Sequence, residues 1–194
     1  TLAFGIPLMQ RVRRARPRFP RALVLAPTRE LAAQIREELV QLGDPDQSVE
    51  SFYGGVGFGA QLRALRHGVD VAVACPGRLA DIISLGVVHL GEVDLVVLDE
   101  ADRMADMGFM PAVRRLLDQT AAERQTVLFS ATLDGDVAKL TRDYQRDPVR
   151  HEVGEETPDI TAAHHVFWNV VKTERVDVTA EAINAVWPAI IFCR

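Results

Sequence analysis

Cysteine is scarce in this 194-residue chain: Cys75 and Cys193 are the only two. Their separation matches no metal-ligand or secreted-disulfide spacing, which argues against a disulfide scaffold or zinc module and favours a reducing, intracellular setting with both thiols buried. No stretch approaches the ~20 continuous apolar residues that a membrane span needs, and the opening residues lack the basic and apolar runs of a leader. The expectation is a soluble, cytoplasmic protein without a membrane partner. Excess positive charge is also missing. A net charge of -5 argues against nucleic-acid binding by bulk charge, while leaving room for a local basic surface. There is no internal repeat and no low-complexity segment.

What is present fits a packed domain. The chain is 48% apolar and 25% charged, near the averages for globular proteins, and a single domain of this size buries roughly 70% of the surface of its unfolded chain. Six arginines, Arg11, Arg13, Arg14, Arg16, Arg18 and Arg21, crowd one segment with Pro17 and Pro20, which prevent a continuous helix there. That segment reads either as a solvated loop or as an auxiliary phosphate-binding loop.

Apolar runs of strand length recur at residues 22–26, 49–53, 69–74, 95–98 and 126–129, with helix-length segments between them. Rich in Val and Leu, they suit parallel strands covered on both faces. Between the first two, Leu31, Ile35, Leu39 and Leu42 form the stripe of a helix over 30–42, stopped by Gly43 and Pro45. Alternation of this kind predicts βαβ units and a doubly wound, mainly parallel α/β sheet. After Val153 the polar, turn-rich residues 154–158 read as a linker. A second unit follows, with strands expected at 165–171 and 189–193 around a helix at 173–186.

The chemistry concentrates at Leu95-Val96-Val97-Leu98-Asp99-Glu100-Ala101-Asp102, an apolar strand that delivers carboxylates at its carboxyl end, where open α/β sheets bind ligands. One acid there can hold Mg²⁺, which prefers oxygen ligands and keeps several waters. Its neighbour can orient or deprotonate water attacking a γ-phosphate. At Pro27-Thr28-Arg29 a strand gives way to a helix, so a hydroxyl, backbone N–H groups and the helix dipole can converge on phosphate. Gly54-Gly55 lets backbone approach a strand closely or forms a plain turn, and the helix beginning after Pro76-Gly77 has Arg78 beside it. Ser130 and Thr132 follow the last strand, near Asp102, as hydrogen-bonding links or as caps for a helix starting near Asp134.

The order of these segments resembles the DEAD-box RNA helicases. Asp99-Glu100-Ala101-Asp102 spells the family signature, Ala26 to Leu31 matches motif Ia, Gly54-Gly55 the paired glycines, Pro76-Gly77-Arg78 most of motif Ib, and Ser130-Ala131-Thr132 motif III. Ile190 to Cys193 is similar to the start of motif IV. The resemblance implies a RecA-like domain of the P-loop NTPase type over 1–153, a linker over 154–164, and the beginning of a second RecA-like domain over 165–194. It implies an enzyme, an ATP-dependent RNA helicase using ATP and Mg²⁺. Asp99 would serve the metal, Glu100 would act as the catalytic water-positioning group, and Asp102, Ser130 and Thr132 would couple ATP use to RNA. Sequence-independent RNA contacts would come from Pro27, Thr28, Arg29, Gly54, Gly55, Gly77 and Arg78.

Two departures stand out. Cys75 replaces the threonine that usually opens motif Ib, exchanging a hydroxyl for a weak thiol donor. Thr1-Leu2-Ala3-Phe4 resembles the close of a phosphate loop, with Thr1 as its Mg²⁺-facing and ATP-binding threonine, but the loop's glycines and lysine are not in this chain. By itself the chain is expected to hold RNA weakly without turnover. An enzyme of similar build acting on DNA is a further alternative.

Overall fold

The computed structural model describes residues 1–153, 164, 166–185 and 188–192. The chain divides into two compact units, Thr1–Pro148 and Val149–Arg194. In the first, five strands form one sheet: β1 (Ala22–Leu25), β2 (Val49–Phe52), β3 (Val71–Ala74), β4 (Leu95–Leu98) and β5 (Gln125–Leu128). Their spatial order is β2-β3-β1-β4-β5, and every pairing is parallel. The register is level across the sheet. Leu25 lies beside Ala74 and Leu98, Ala74 beside Phe52, and Leu98 beside Leu128.

The helices are α1 (Leu2–Arg11), α2 (Arg29–Leu42), α3 (Phe58–His67), α4 (Pro76–Ser84), α5 (Ala101–Asp106), α6 (Met110–Leu117) and α7 (Gly135–Tyr144). Alternate strand side chains divide between two cores, as the period of two requires. Ala22, Val24, Val71, Val73 and Val97 pack against Phe4, Leu8 and Met9 of α1 and Ala32, Ile35 and Leu39 of α2. Leu23, Leu25, Ala72, Ala74, Val96 and Leu98 face the opposite core, with Leu65, Leu79, Ile82, Met104, Val113, Leu116 and Leu140 from α3 to α7. The chain therefore leaves β1 toward one face and leaves β3 and β4 toward the other. That divergence opens a crevice at the carboxyl edge beside β1, the position at which doubly wound sheets receive ligands.

The predicted strands over 22–26, 69–74 and 95–98 form the buried centre of the sheet much as expected, whereas the one over 49–53 forms as the edge strand β2, with Glu50 and Ser51 only partly covered. The fifth forms as the opposite edge strand, β5, which begins at Gln125 and is the less covered of the two, so it lacks the two-sided burial expected of it. The predicted helix over 30–42 forms as α2, capped by Thr28, whose hydroxyl oxygen accepts from Leu31 N–H at 3.3 Å.

In the second unit Lys172–Glu174 form a 3₁₀ turn that leads into α8 (Arg175–Ala185), where a helix over 173–186 was expected; Val186 lies outside the described residues. The strands expected at 165–171 and 189–193 do not form over 166–171 and 189–192. A strand needs a ladder partner, and none is paired to these residues among those described; Phe167 is 92% exposed and Phe192 93%. His165, Cys193 and all of the expected linker except His164 lie outside the described residues.

The arginine-rich segment is a solvated loop, as one of its two readings expected, with Arg13, Arg14 and Arg16 largely exposed, but it is tied down by charge pairs. It runs along the amino edge of the sheet, opposite the crevice, and all six arginines have protein acceptors. Arg13 pairs with Asp94 at 2.5 Å, Arg16 with Glu92 at 2.6 Å, and Arg21 with Glu92 and Asp94 at 3.3 and 2.6 Å. Arg11 donates to Gln125 Oε1 at 3.0 Å, Arg18 to the Val87 and Gly86 carbonyls, and Arg14 to the Asp46 carbonyl and to Asp70. Asp70, only 3% exposed, is the centre of this edge. Its carboxylate accepts from Ala15 N–H at 2.6 Å, Ser48 N–H at 2.9 Å and Arg14 at 3.1 Å. Removing it leaves two backbone donors without their acceptor, so Asp70→Ala should lower unfolding free energy by about 2 kcal/mol. Denaturant titration checks this, and a loss under about 1 kcal/mol would contradict the clamp.

Candidate functional site

The turn after β4 carries the densest polar arrangement on the crevice side. Asp99 N–H donates to the Leu25 carbonyl at 2.9 Å, Phe129 N–H to the Leu98 carbonyl at 2.8 Å, and Ala101 N–H to the Phe129 carbonyl at 3.0 Å. Backbone bonds thus continue past the strand ends and tie the Asp99–Asp102 turn to the Ser130–Thr132 turn. Phe4 of α1 packs on Phe129 with ring centroids 5.4 Å apart, supporting the turn from below. Asp99, Glu100, Asp102, Arg103, Phe129, Ser130 and Ala131 line a cleft of about 390 Å³.

Within the cleft the three acids differ. Burial raises the Asp99 carboxyl above its ordinary pKa; the Glu100 N–H opposes that rise, and the Glu100 charge adds to it. No cationic side chain pairs with Asp99 among the described residues. Thr1 is the N-cap of α1, and its hydrogen bond, after that of Gln34, holds Glu38 below the ordinary carboxylate range. Glu100 has φ 50 and ψ 54, a left-handed conformation unusual for a residue with a Cβ, and its carboxylate meets Arg103 at 3.1 Å. Backbone held in this region costs of order 1 kcal/mol and persists where surrounding bonds enforce it. Here the enforcing bonds are those on either side, at Asp99 and Ala101.

Asp102 and Ser130 are joined reciprocally. Asp102 N–H donates to Ser130 Oγ at 3.1 Å, and the Ser130 hydroxyl donates to Asp102 Oδ1 at 3.1 Å, with Ala131 N–H adding 3.4 Å to the same oxygen. Thr132 is exposed and makes no side-chain bond to this pair among the described residues. Nor does it cap α7, whose N-cap is Asp134, without a side-chain cap bond.

The other predicted residues line the same edge over β1, β3 and β2. Pro27 is buried, so it shapes the turn and offers no side-chain surface. Arg29 is exposed, pairs with Glu30 at 2.5 Å, and reaches toward Gly55, where an added Cβ would lie 3.3 Å from its Nη1. Gly55 has φ +83, which favours glycine, while Gly54 and Gly77 face open space. Arg78 is half-buried beside Gly77. Cys75 is a free thiol, half-buried rather than buried, and burial followed by the Glu30 charge pushes its pKa up to about 11. It stays a neutral thiol and gives α4 no side-chain cap.

Comparison with known proteins bears on this edge directly. The model of the family described as DEAD/DEAH box helicase matches residues 1–140. The chain belongs to the DEAD/DEAH box helicase family. It is 47% identical over 175 residues to the DEAD-box ATP-dependent RNA helicase 5 of Oryza sativa subsp. japonica, covering 86% of this chain and 34% of that protein. It is 42% identical over 163 residues to the ATP-dependent RNA helicase DBP2 of Vanderwaltozyma polyspora, covering 84% and 35%. The chain therefore spans about a third of the length of these relatives. A DEAD box protein crystal structure from Methanococcus jannaschii superposes with a TM-score of 0.72 at 29% identity, covering 94% of this chain and 48% of that one. A hypothetical ATP-dependent RNA helicase from Sulfolobus tokodaii gives 0.67 at 36% identity, covering 75% and 42%. The sheet of this DEAD/DEAH box family member is a RecA-like α/β fold.

Two residues at this edge escaped the sequence reading. Gln61 occupies a core position of α3 and is 8% exposed, and Phe58 stacks under Arg78 with the guanidinium carbon 3.6 Å from the ring centroid. The available signal was a glutamine between Phe58 and Leu65 on a helical stripe otherwise apolar. No group of three or more metal-binding side chains exists among the described residues, so the cleft offers a divalent ion a single desolvated carboxylate. That suits Mg²⁺, which takes one or two carboxylates together with substrate phosphates and water.

Because the folded-state pKa of Asp99 is raised, its ionisation opposes folding. The penalty is absent below the unfolded-state pKa and complete above the folded-state one, so ligand-free stability falls as pH rises through that window. Asp99→Asn should remove this slope and leave the ligand-free protein more stable at neutral pH. Thermal unfolding from pH 3 to 8, roughly bracketing the carboxylate range, checks it; a variant less stable than the parent at neutral pH would contradict it.

Proposed function

We propose that the intact protein is an ATP-dependent RNA helicase, coupling ATP binding and hydrolysis to RNA binding and local duplex separation. One observation carries the reading: strands that end level bring the acidic cleft and the glycine–arginine surface onto a single edge of one sheet. Residues 1–153 would form the first RecA-like domain, 154–164 a linker, and 165–194 the beginning of a second. The printed names of the relatives as ATP-dependent RNA helicases support the same reading.

In this mechanism Asp99 and Thr1 would hold Mg²⁺, which would supply charge neutralisation for ATP when bound. Glu100 projects from its left-handed turn, where it orients the attacking water and accepts its proton. The Arg103 pair holds that carboxylate in place. Positioning and electrostatics suffice because phosphoryl transfer asks little covalent chemistry of the protein. The Asp102–Ser130 bonds transmit the state of the cleft to the adjacent turn, with Thr132 beyond it on the exposed surface. On the RNA side Arg29 and Arg78 supply charge, Gly54, Gly55 and Gly77 admit the backbone closely, and Pro27 sets the turn. The Thr28 oxygen serves its helix cap, while its hydroxyl hydrogen remains available to a phosphate. Such contacts read sugar and phosphate and are largely indifferent to base sequence.

No glycine-rich loop ending in lysine occurs within these 194 residues, whose two lysines are Lys139 and Lys172. The isolated chain should accordingly bind RNA weakly and show no ATP turnover. In the intact protein, Glu100→Gln should reduce RNA-stimulated ATP hydrolysis by on the order of 10² to 10⁴, the usual worth of a positioned base, while leaving RNA binding in place. Steady-state phosphate release with matched RNA and DNA strands measures both points. Unchanged turnover would remove Glu100 from the chemistry, and equal stimulation by DNA would favour the DNA-acting alternative.

A further inference from the structure

The Gln61 carboxamide has both of its ends committed. Its Nε2 donates to the Tyr53 carbonyl at 3.1 Å, and its Oε1 accepts from Arg78 Nε at 2.9 Å. The orientation is unambiguous, since a flipped amide would set its NH₂ against a guanidinium and its oxygen against a carbonyl. Arg78 in turn donates from Nη2 to the Val56 carbonyl at 2.6 Å and lies flat on Phe58. These partners come from three elements: the turn after β2 that carries Gly54 and Gly55, the helix α3, and the start of α4. The guanidinium is the point at which they meet.

We infer that Gln61, with Phe58, is a positioning residue that holds the Arg78 guanidinium preorganised for a nucleic-acid phosphate and locks it to the paired-glycine turn. The inference rests on the RNA reading of this edge and extends it to residues that touch no RNA themselves. Two of the five N–H groups of Arg78 are taken by Gln61 and Val56; the remaining three are left for a ligand. A planar fork already fixed on an aromatic face loses less freedom on binding than a mobile arginine, and Gln61 is what fixes its roll about the side-chain axis. Because Gln61 also holds the Tyr53 carbonyl, a shift of the glycine turn and a shift of Arg78 are one movement. Arg78 therefore contributes both charge and the spacing between two phosphate contacts. A buried glutamine whose two ends join separate surface turns is costly to leave half-satisfied, so its partners are held together.

The test is a double-mutant cycle on RNA affinity in the intact protein, using Gln61→Leu, Arg78→Ala and their combination, with single-stranded RNA at several salt concentrations. Arg78→Ala should weaken binding and reduce the salt slope by about one contact. Gln61→Leu should weaken binding on the order of fivefold, the cost of ordering one free side chain, and should have a clearly smaller effect once Arg78 is alanine, when only the Tyr53 contact is left to lose. A purely structural role for Gln61 would give additive losses, which would overturn the inference. Full affinity in Gln61→Leu beside weakened Arg78→Ala would also overturn it, while leaving the RNA reading intact. An Arg78→Ala variant with unchanged affinity and slope would overturn that reading at this position and the inference with it. If Gln61→Leu fails to fold, Phe58→Leu in the same cycle removes the stacking support instead, with the same non-additivity expected.

Discussion

Parallel strands paired without offset put every strand end at the same height, and the rest of this structure depends on that constraint. Leu25, Phe52, Ala74, Leu98 and Leu128 share one level, so the turns that follow them emerge on one edge. A slip of one residue in β1 or β4 would turn Leu23, Leu25, Val96 and Leu98 out of one core and Val24 and Val97 out of the other. The register is therefore enforced by burial on both faces. The amino edge adds a second restraint, where Asp70, Glu92 and Asp94 bind the arginines of the entering segment. Opposite edges of the sheet thus have different tasks: charge pairs close one, and the other carries a desolvated acid, Asp99, with no ion-pair partner among the described residues.

That division accounts for the electrostatics of the cleft. Six arginines are consumed at the edge remote from Asp99, and no cationic side chain neutralises Asp99 among the described residues. Glu100 is met by Arg103 and Asp102 by Ser130. The three acids of one short turn thereby occupy three environments, one bare, one ion-paired and one hydrogen-bonded to a hydroxyl, which is the physical basis for assigning them different roles. The strained backbone at Glu100 is affordable because the neighbouring N–H groups are bonded into the sheet.

Much of this was legible in the amino-acid sequence. Uninterrupted Val and Leu runs gave the parallel sheet, and the acids after Leu98 gave the edge that matters. The juxtaposition of Asp102 with Ser130 followed from both residues standing just past strand ends. Three features were not legible. Arginine clusters carry no information about which carboxylates will meet them, so the clamp at Asp70 and Asp94 required coordinates. Strand length alone does not supply a ladder partner, hence the failure of 165–171 and 189–193 to pair over their described residues. Gln61 stood in an apolar stripe where its two hydrogen-bond partners, far apart in sequence, were invisible. Thr132 shows the converse: a motif position can be recognised from its neighbours while the side chain meets no hydrogen-bond partner among the described residues.

The central claim is that the acidic cleft and the glycine–arginine surface act as one unit across a single sheet edge. Its most direct test is thermodynamic: the affinity of the intact protein for single-stranded RNA, measured by fluorescence anisotropy with and without a saturating Mg²⁺-bound, non-hydrolysable ATP analogue. Reciprocal tightening of at least about fivefold, the lower end of ordinary coupling between sites, is the predicted result. Identical RNA affinity in both conditions would mean that the two halves of the edge are independent, and would contradict the account.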